Sequence, residues 1–536
     1  MIDVDFNAPG IDYAGISPVI ALSVGLVAVL LVGLARPGRA KVLASGVSFL
    51  TLGITAGLCI WRWGESANLV AGALRLDALA LAVALIAIGS AAFVIPLSWR
   101  EDALDRPVAQ AGHGEFQALL LTSVLGMVLL AQAQNLIVFF VALELLSIPL
   151  YVLCGSALRR RESLESGLKY LIVGSLGSAT LLYGLAFIYG ASGSTDFATI
   201  ANALGADLGD DVLVLIGIAL CATGLAFKLS IAPFHQWTPD VYQGAPTPVT
   251  AFMAVATKAA AFAVFVRFFE VALGPSIDQW QTALAGLAAF SIAVGNVGAL
   301  GQSSLKRMLG YSGVAQAGYM LVGIVAANSA GVSALVFYLA GYAFTNLAAF
   351  AVITIRERET EWGDDIRSFR GLGAERPGLA WALTISMLGL AGLPGTVGFI
   401  GKLFLINAIS DAGYIWLGIA IAIGTVISLA YYLRVITAIW VSPHAEPEAA
   451  EPRPTARPAI AGGSADIEPE EADALGRNGD AAFDPRAGLP SGGRCFVILG
   501  ALIVVSAASV VFGIIPQPLA DWAGDAGASI VAAFPG

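Results

Sequence analysis

Long apolar stretches follow one another along almost the whole chain, and this succession limits the fold more than any other feature. A helix that crosses a bilayer needs roughly 20 apolar residues, and the sequence supplies such stretches nearly end to end. Of the 536 residues, 57% are hydrophobic and 12% are charged, whereas soluble domains carry about a quarter charged residues. The chain is therefore predicted to be an all-α polytopic membrane protein.

The apolar stretches predict about fourteen transmembrane spans. Span 7 runs into Pro233, and span 12 is too long for one straight helix and contains Leu393-Pro394-Gly395. Because proline interrupts helices, both are predicted to be broken helices. The approximate limits of the spans are 14–35, 42–63, 75–98, 116–133, 135–156, 165–190, 211–232, 248–271, 279–301, 306–327, 332–355, 378–410, 414–441 and 494–516.

A weak internal repeat groups these spans into larger units. Tyr170-Leu171 in span 6 and Tyr338-Leu339 in span 11 occupy similar positions, and spans 7 and 12 each combine a proline break with a lysine. This pattern predicts two inverted five-helix repeats, spans 4–8 and spans 9–13, a device of transporters. The predicted regions are N-terminal helices 1–3 (1–115), the first repeat (116–271), the second repeat (279–441), an insert (443–493), and the last helix with the C-terminus (494–536).

Basic residues between the spans predict the orientation of the chain. The loops that follow spans 1, 5, 9 and 11 carry most of the basic residues that lie between spans, including Arg159-Arg160-Arg161. If the spans alternate, these loops share one side, which the positive-inside rule assigns to the cytoplasm, with both termini outside. Residues 443–493 are rich in Pro, Ala, Glu, Asp and Gly. They predict a disordered cytoplasmic insert, either a tolerated linker or a regulatory segment.

The placement of the few lysines carries the functional prediction. Three of the six lysines, Lys228, Lys258 and Lys402, fall well inside apolar spans, and Glu144 lies in the middle of span 5. A charge at the bilayer centre costs roughly 2.5–3.5 kcal/mol. Lys228, Lys258 and Glu144 are predicted to lie too far from a helix end for the side chain to reach water. A buried lysine exchanges its proton readily, whereas arginine stays charged. We therefore interpret the four residues as proton carriers.

The remaining ionisable residues in the spans carry less information. Lys169, near the start of span 6, is either an interfacial anchor or a functional group. His235, just after the predicted break in span 7, is either a proton relay or a structural hydrogen-bonding residue. Lys41 and Lys306 are placed at loops or helix ends, and Asp77 at the membrane interface.

The sequence lacks the patterns typical of cofactor sites. It has no P-loop, no GxGxxG that opens a βα unit and no histidine pair with haem spacing. The cysteines form no CxxC pair, so we expect neither a metal or iron–sulfur site nor a disulfide framework. No basic patch favours nucleic acid. The four cysteines are Cys59, Cys154, Cys221 and Cys495.

Three segments of the chain resemble motifs of the antiporter-like membrane subunits of respiratory complex I. They are 232–252, which reads APFHQWTPDVYQGAPTPVTAF, 306–319, which begins KRMLGYSG, and 144–149, which reads ELLSIP. The resemblance covers nearly the whole chain except the insert and the ends. It implies a proton-translocating subunit in the cell membrane among other membrane subunits, with NADH, FMN, iron–sulfur clusters and quinone bound by partner subunits.

The resemblance also implies a role for each candidate residue. Glu144 would pair with Lys228 in a cytoplasmic half-channel, Lys258 would link this pair to the centre, and Lys402 would face an outward half-channel. Lys169 would modulate the Glu144–Lys228 pair. Two alternatives stay open: a subunit of a multi-subunit Na⁺/H⁺ antiporter, which shares these motifs, and a passive structural subunit of a membrane arm.

Overall fold

The computed structural model describes residues 11–34, 37–98, 113–158, 160–205, 211–443 and 493–531, and these form a mostly helical chain. Its first part consists of α1 (Ser17–Gly33), α2 (Pro37–Trp61), the strands β1 (Ala67–Leu69) and β2 (Leu74–Leu76), and α3 (Ala78–Ser98). The two strands pair antiparallel. There follow α4 (His113–Gln132), α5 (Leu136–Cys154), α6 (Arg161–Ser192), α7 (Phe197–Ala203), α8 (Val212–Leu229) and α9 (Trp237–Gly244).

The second part begins with α10 (Thr247–Ala272), whose helix contains the π-helical segments Met253–Thr257 and Arg267–Ala272. It continues with α11 (Ile277–Leu300), α12 (Leu305–Val325), α13 (Ser329–Glu357) and the short α14 (Leu372–Glu375). The remaining helices are α15 (Pro377–Ala391), α16 (Val397–Asp411), α17 (Ile415–Trp440), α18 (Gly493–Ile514) and α19 (Gln517–Val531).

The chain breaks at both points where the sequence predicts a broken helix. Helix α8 ends at Leu229 because Ser230 takes up left-handed backbone angles (φ 62°), and α9 begins only at Trp237. Helix α15 ends at Ala391, where Gly392 is also left-handed (φ 77°), and α16 resumes at Val397. Glycine adopts this conformation without steric cost. The two breaks leave helix-terminal carbonyls inside the protein.

Eleven helices in the described residues are long and apolar enough to cross a membrane, or twelve if the bent pair α18–α19 counts as one span. The protein is therefore a multi-pass membrane protein, whereas the count of fourteen and the inverted repeats stay predictions. Helix α1 has 17 residues and the two halves of span 12 have 15 each, so each is shorter than the roughly 20 residues of a full span.

Several elements were missing from the sequence-based expectation. The hairpin β1–β2, the short helices α7 and α9, and α19 were not predicted, because each is short or amphipathic and lacks a long apolar run. Helix α19 lies at 85° to α18. Most of the predicted insert, 444–492, and the first ten residues lie outside the described residues.

Helices α3, α10, α12 and α13 form the interior of the protein, since nearly all of their residues are buried, including every residue in the most apolar stretch of α10. In the most apolar stretches of α6 and α17, by contrast, 33% of the residues are buried. Close contact between α6 and α8 depends on glycine: a Cβ at Gly224 would lie 2.6 Å from the Cβ of Leu181. This packing holds the broken helix α8 against α6 and brings its last turn beside α5.

Candidate functional site

Lys228 lies in the last turn of α8 and is buried. Its ammonium donates to the Ser147 hydroxyl on α5 at 2.7 Å and to the Tyr170 hydroxyl on α6 at 3.2 Å. The Tyr170 ring stacks on Trp237 with centroids 4.7 Å apart, and the Trp237 indole donates to the carbonyl of Phe227 at 3.1 Å. Lys228 therefore has polar partners on two neighbouring helices within an otherwise apolar region.

Glu144 lies one helical turn before Ser147 on α5 and is partly exposed. The buried carboxylate oxygen Oε1 has no hydrogen-bond partner among the described residues. The Ser147 hydroxyl donates to the carbonyl of Leu143 at 2.5 Å while it accepts from Lys228. The implied pairing of Glu144 with Lys228 is thus not a direct ion pair in this structure, because Lys228 is bound to the serine one turn further along.

Lys258 lies in the middle of α10 and is 1% exposed. Its ammonium donates to the carbonyl of Leu229 at 3.2 Å and to the carbonyl of Gly313 on α12 at 2.7 Å. Leu229 is the last residue of α8 and follows Lys228 directly. Lys258 therefore connects the end of the first broken helix to α12, and its role as a central link stays a prediction.

A group of polar side chains on α12, α13 and α17 continues from this point and was not predicted from the sequence. Ser312 lies next to Gly313 on α12, and its hydroxyl is hydrogen-bonded to the hydroxyl of Tyr432 on α17 at 2.5 Å. Gln316, one turn later, donates to the carbonyl of Leu390 at 3.1 Å and accepts from the Tyr338 hydroxyl. The four-residue spacing of Ser312 and Gln316 on an apolar helix was the available indication in the sequence.

Lys402 lies in α16, just after the second break, and is buried. Its ammonium donates to the carbonyl of Ala391 at 3.0 Å and lies 4.8 Å from the centre of the Tyr319 ring. The Tyr319 hydroxyl accepts from the amide of Asn296 at 3.0 Å. Since Leu390 precedes Ala391, Gln316 and Lys402 bind adjacent carbonyls at the end of α15.

The two breaks and the two lysines Lys258 and Lys402 follow a common physical rule. Each ammonium binds the carbonyl of the residue that ends a broken half-helix, Leu229 for α8 and Ala391 for α15. The last carbonyls of a helix have no partner within the helix and carry the negative end of its dipole. The broken helices thereby supply oxygen acceptors that stabilise buried ammonium groups where the surrounding helices are apolar.

Lys169 does not reach the Lys228 site. Its side chain is 44% exposed and forms ion pairs with Glu165 at 2.7 Å and with Asp240 on α9 at 3.2 Å. Asp240 also pairs with Arg307 at 2.5 Å. Burial alone would raise the pKa of Asp240, but the hydrogen bonds from Arg307 and Lys169 outweigh burial and lower that pKa. Lys169 therefore belongs to an ion-pair cluster that joins α6, α9 and α12.

His235 lies in the connection between α8 and α9 and is half-buried. Its Nδ1 has no hydrogen-bond partner among the described residues, and its ring lies 6.2 Å from that of Tyr311. None of the hydrogen bonds of Lys228, Lys258 or Lys402 in the described residues involves His235. A role as proton relay stays a prediction.

Two further charged groups are more deeply buried than the sequence predicts. Asp77, expected at the interface, is fully buried and pairs with the fully buried Arg267 at 2.5 Å and with Arg75 at 3.3 Å. Lys306, expected at a helix end, does lie there but is also completely buried. In both cases the neighbouring helices cover a position that lies near the end of its own helix.

The part of the chain that the structure describes holds no group of three His, Cys, Asp or Glu residues that could bind a metal ion. Cys59, Cys154 and Cys221 are buried free thiols there. The candidate lysines Lys228, Lys258 and Lys402 are held by hydroxyls and backbone carbonyls. Ammonium groups with hydroxyl and carbonyl partners can hold and pass protons.

Comparison with known proteins shows the family to which this chain belongs. A model described as NADH:quinone oxidoreductase/Mrp antiporter, TM, matches residues 133–428, which contain every candidate residue named above. The chain belongs to this family of antiporter-like membrane proteins.

The more particular resemblance is to subunit N of NADH-quinone oxidoreductase. The chain is 40% identical to subunit N from Trichlorobacter lovleyi, over 80% of this chain and 88% of that one. It is also 40% identical to subunit N 1 from Herpetosiphon aurantiacus, over 85% and 92% of the two chains.

Solved structures agree with this resemblance. A chain of respiratory complex I from Thermus thermophilus with bound aureothin matches with a TM-score of 0.72 and 31% identity, over 94% of this chain and 98% of that chain. A chain of the Mrp complex from Dietzia sp. matches with a TM-score of 0.75 at 22% identity, over 97% and 98% of the chains. The second match shows a shared fold alone.

Proposed function

We propose that this chain is a proton-translocating subunit in the membrane arm of an NADH:quinone oxidoreductase. The observation that carries the proposal is the run of contacts across the protein interior. Lys228 binds Ser147, Lys258 joins Leu229 to Gly313, and Gln316 and Lys402 bind adjacent carbonyls of α15. Each contact is linked to the next, because the two involve adjacent residues or residues of the same helix.

The chemistry of these groups suits proton transfer. A lysine that is removed from water changes its proton affinity readily, whereas an arginine stays charged. Hydroxyls such as those of Ser147, Tyr170 and Tyr432 both donate and accept hydrogen bonds, so they can hand on a proton beside a lysine. Helix breaks in the membrane are tolerated where the freed backbone groups line a polar interior.

The proposal assigns a direction to the axis. Glu144 and Lys228 form the cytoplasmic half-channel, Lys258 links it to the centre, and Lys402 faces the outward half-channel. Both termini then lie outside the cytoplasm. Other membrane subunits are the partners, while NADH, FMN, the iron–sulfur clusters and quinone are bound by partner subunits. Electron transfer in those subunits supplies the energy that changes the protonation of this axis.

Replacing Lys228 in the assembled complex tests the proposal. In membrane vesicles that oxidise NADH, Lys228→Ala is expected to lower proton pumping at least about tenfold, because the axis loses its first carrier. Lys228→Arg is expected to fail as well, since arginine keeps its proton. Lys41→Ala, in α2 outside the run of contacts, is the matched control and should pump normally.

Two alternative functions predict different results. If the chain is a passive structural subunit, an assembled Lys228→Ala complex pumps normally while it oxidises NADH. If the chain belongs to a multi-subunit Na⁺/H⁺ antiporter, as the shared fold with the Mrp complex chain allows, transport depends on Na⁺ and needs no NADH. Either result would overturn the proposal.

A further inference from the structure

A second buried lysine–glutamate couple lies outside the proposed proton axis. The ammonium of Lys306, near the start of α12, donates to the carbonyl of Ala245 at 3.0 Å and to the hydroxyl of Thr247 at 3.1 Å. It pairs with Glu357 at 3.3 Å. The Lys306 side chain is 0% exposed and that of Glu357 is 16% exposed. The carboxylate therefore lies between a fully buried ammonium and the protein surface.

The couple joins parts of the chain that are distant in sequence. Ala245 directly follows α9, Thr247 begins α10, and Glu357 is the last residue of α13. The Thr247 hydroxyl is also hydrogen-bonded to Glu357. A proton taken up by Glu357 would change the charge balance at a point where α9, α10, α12 and α13 meet.

Lys306 and Lys258 lie between the same two helices. Lys306 on α12 binds Thr247 on α10, and Lys258 on α10 binds Gly313 on α12. Gly313 follows Lys306 by seven residues, which is two turns or about 10.5 Å along one helix face. The Lys306 ammonium binds Thr247, which precedes Lys258 on α10 by eleven residues, or about 16 Å. Over about 10–16 Å, at an effective dielectric constant near 20, one unit charge changes the charging equilibrium of a neighbour roughly 5- to 15-fold.

The other charged groups around the couple have their own partners. Arg307 pairs with Asp240, and Arg356 pairs with Glu359 and Glu375. Asp364 is hydrogen-bonded to Ser304; burial raises the pKa of Asp364, and the charge of Lys306 opposes this rise. Within the described residues, Glu357 is the carboxylate in ion-pair contact with Lys306.

We propose that Lys306 and Glu357 form a charge-balanced couple that controls electrostatically how readily Lys258 takes up a proton. With both residues charged, their fields largely cancel at Lys258. When Glu357 takes up a proton from its side of the membrane, Lys306 is left uncompensated and opposes the charging of Lys258. Lys306 then acts as a positioning residue for charge and is not itself a carrier. This inference rests on the proposed proton axis.

Neutralising the two residues singly and together tests the couple in vesicles that contain the assembled complex. Lys306→Met leaves Glu357 unbalanced, and Glu357→Gln leaves Lys306 unbalanced, so each is expected to lower NADH-driven proton pumping about tenfold. The double variant restores neutrality and is expected to pump within about twofold of the wild type. Arg307→Gln, which removes a charge from the same helix turn, is the matched control and should pump normally.

Three results would overturn the inference: normal pumping in both single variants, a double variant as impaired as Lys306→Met, or the same loss in the control. If the Lys306→Met complex does not assemble, Glu357→Gln is compared with the double variant Lys306→Gln/Glu357→Gln. The double variant is then expected to restore the pumping that Glu357→Gln loses. Lys228→Ala measured in parallel separates the two proposals. If Lys228→Ala pumps normally, the proposed proton axis is wrong. If Lys228→Ala is impaired and the double variant at Lys306 and Glu357 does not restore pumping, only the proposed role of the couple is wrong.

Discussion

The hydroxyl of Ser147 decides where Lys228 is held, so removing it is the sharpest perturbation of the proposed axis. Ser147→Ala takes away the 2.7 Å acceptor of the ammonium and leaves the longer 3.2 Å contact with Tyr170. A buried hydrogen bond to a charged group contributes about 1.5–3 kcal/mol. About 1.4 kcal/mol corresponds to a factor of ten in an equilibrium constant. The population of Lys228 at this position, relative to other positions, should therefore fall about 10- to 100-fold.

Glu144 lies one turn away with a buried carboxylate oxygen that lacks a hydrogen-bond partner in the described residues. The released ammonium should therefore pair with Glu144 directly. If proton transfer requires Lys228 to alternate between Glu144 and the Ser147 position, this bias lowers turnover. We expect Ser147→Ala to reduce NADH-driven proton uptake about tenfold or more in membrane vesicles, with the complex assembled.

A cryo-electron microscopy structure of the variant complex should show the Lys228 ammonium within ion-pair distance of Glu144. Ser175→Ala is the matched control, because Ser175 is exposed on α6 and donates to the carbonyl of Leu171 at 2.7 Å. Normal pumping by Ser147→Ala, with Lys228 unmoved, would refute the reasoning that this serine separates the pair.

Three further outcomes are expected. Asp77→Asn leaves the buried Arg267 without its partner carboxylate and should destabilise the solubilised protein by about 3–5 kcal/mol, measured by thermal denaturation. Gly392→Ala places a Cβ 2.9 Å from the Lys402 ammonium at φ 77°, so it should cost about 1–2 kcal/mol and lower the pumping rate. Asp240→Asn should lower the free energy of unfolding by less than about 1 kcal/mol, measured by thermal denaturation. The loss should be the same at neutral pH and at about pH 5. The pKa of Asp240 is lowered, so its ion pairs stabilise the fold above the ordinary aspartate pKa of about 3.9 and are lost only as pH falls through the lowered value.

The membrane class and the central lysines could be predicted from the sequence because burying charge is costly. A lysine inside an apolar span has few alternatives to the protein interior, and Lys228, Lys258 and Lys402 are indeed buried, although Lys228 lies in the last turn of its helix. The two helix breaks were predictable as well, since proline cannot continue the helical hydrogen bonds.

Positions near helix ends were the weak point of the prediction. Lys306 and Asp77 lie at the start of their helices, where a charge usually reaches water. Whether it does depends on which other helices cover that end, and for Lys306 the covering groups come from α9, α10 and α13. Partners such as Gln316 and Leu390 are far apart in sequence, and local patterning says nothing of such pairs.

The sequence by itself determined that the chain crosses a membrane many times, that lysines lie inside it, and that two helices are broken. These follow from local free energies: the transfer of apolar and charged groups between water and lipid, and the missing N–H of proline. The tertiary structure alone decided that Lys228 binds Ser147 and not Glu144, and that Lys258 and Lys402 bind the ends of the broken helices. Those partners depend on how helices that are distant in sequence pack together. A shift of a few ångströms between two helices decides which of several similar acceptors a lysine ammonium can reach.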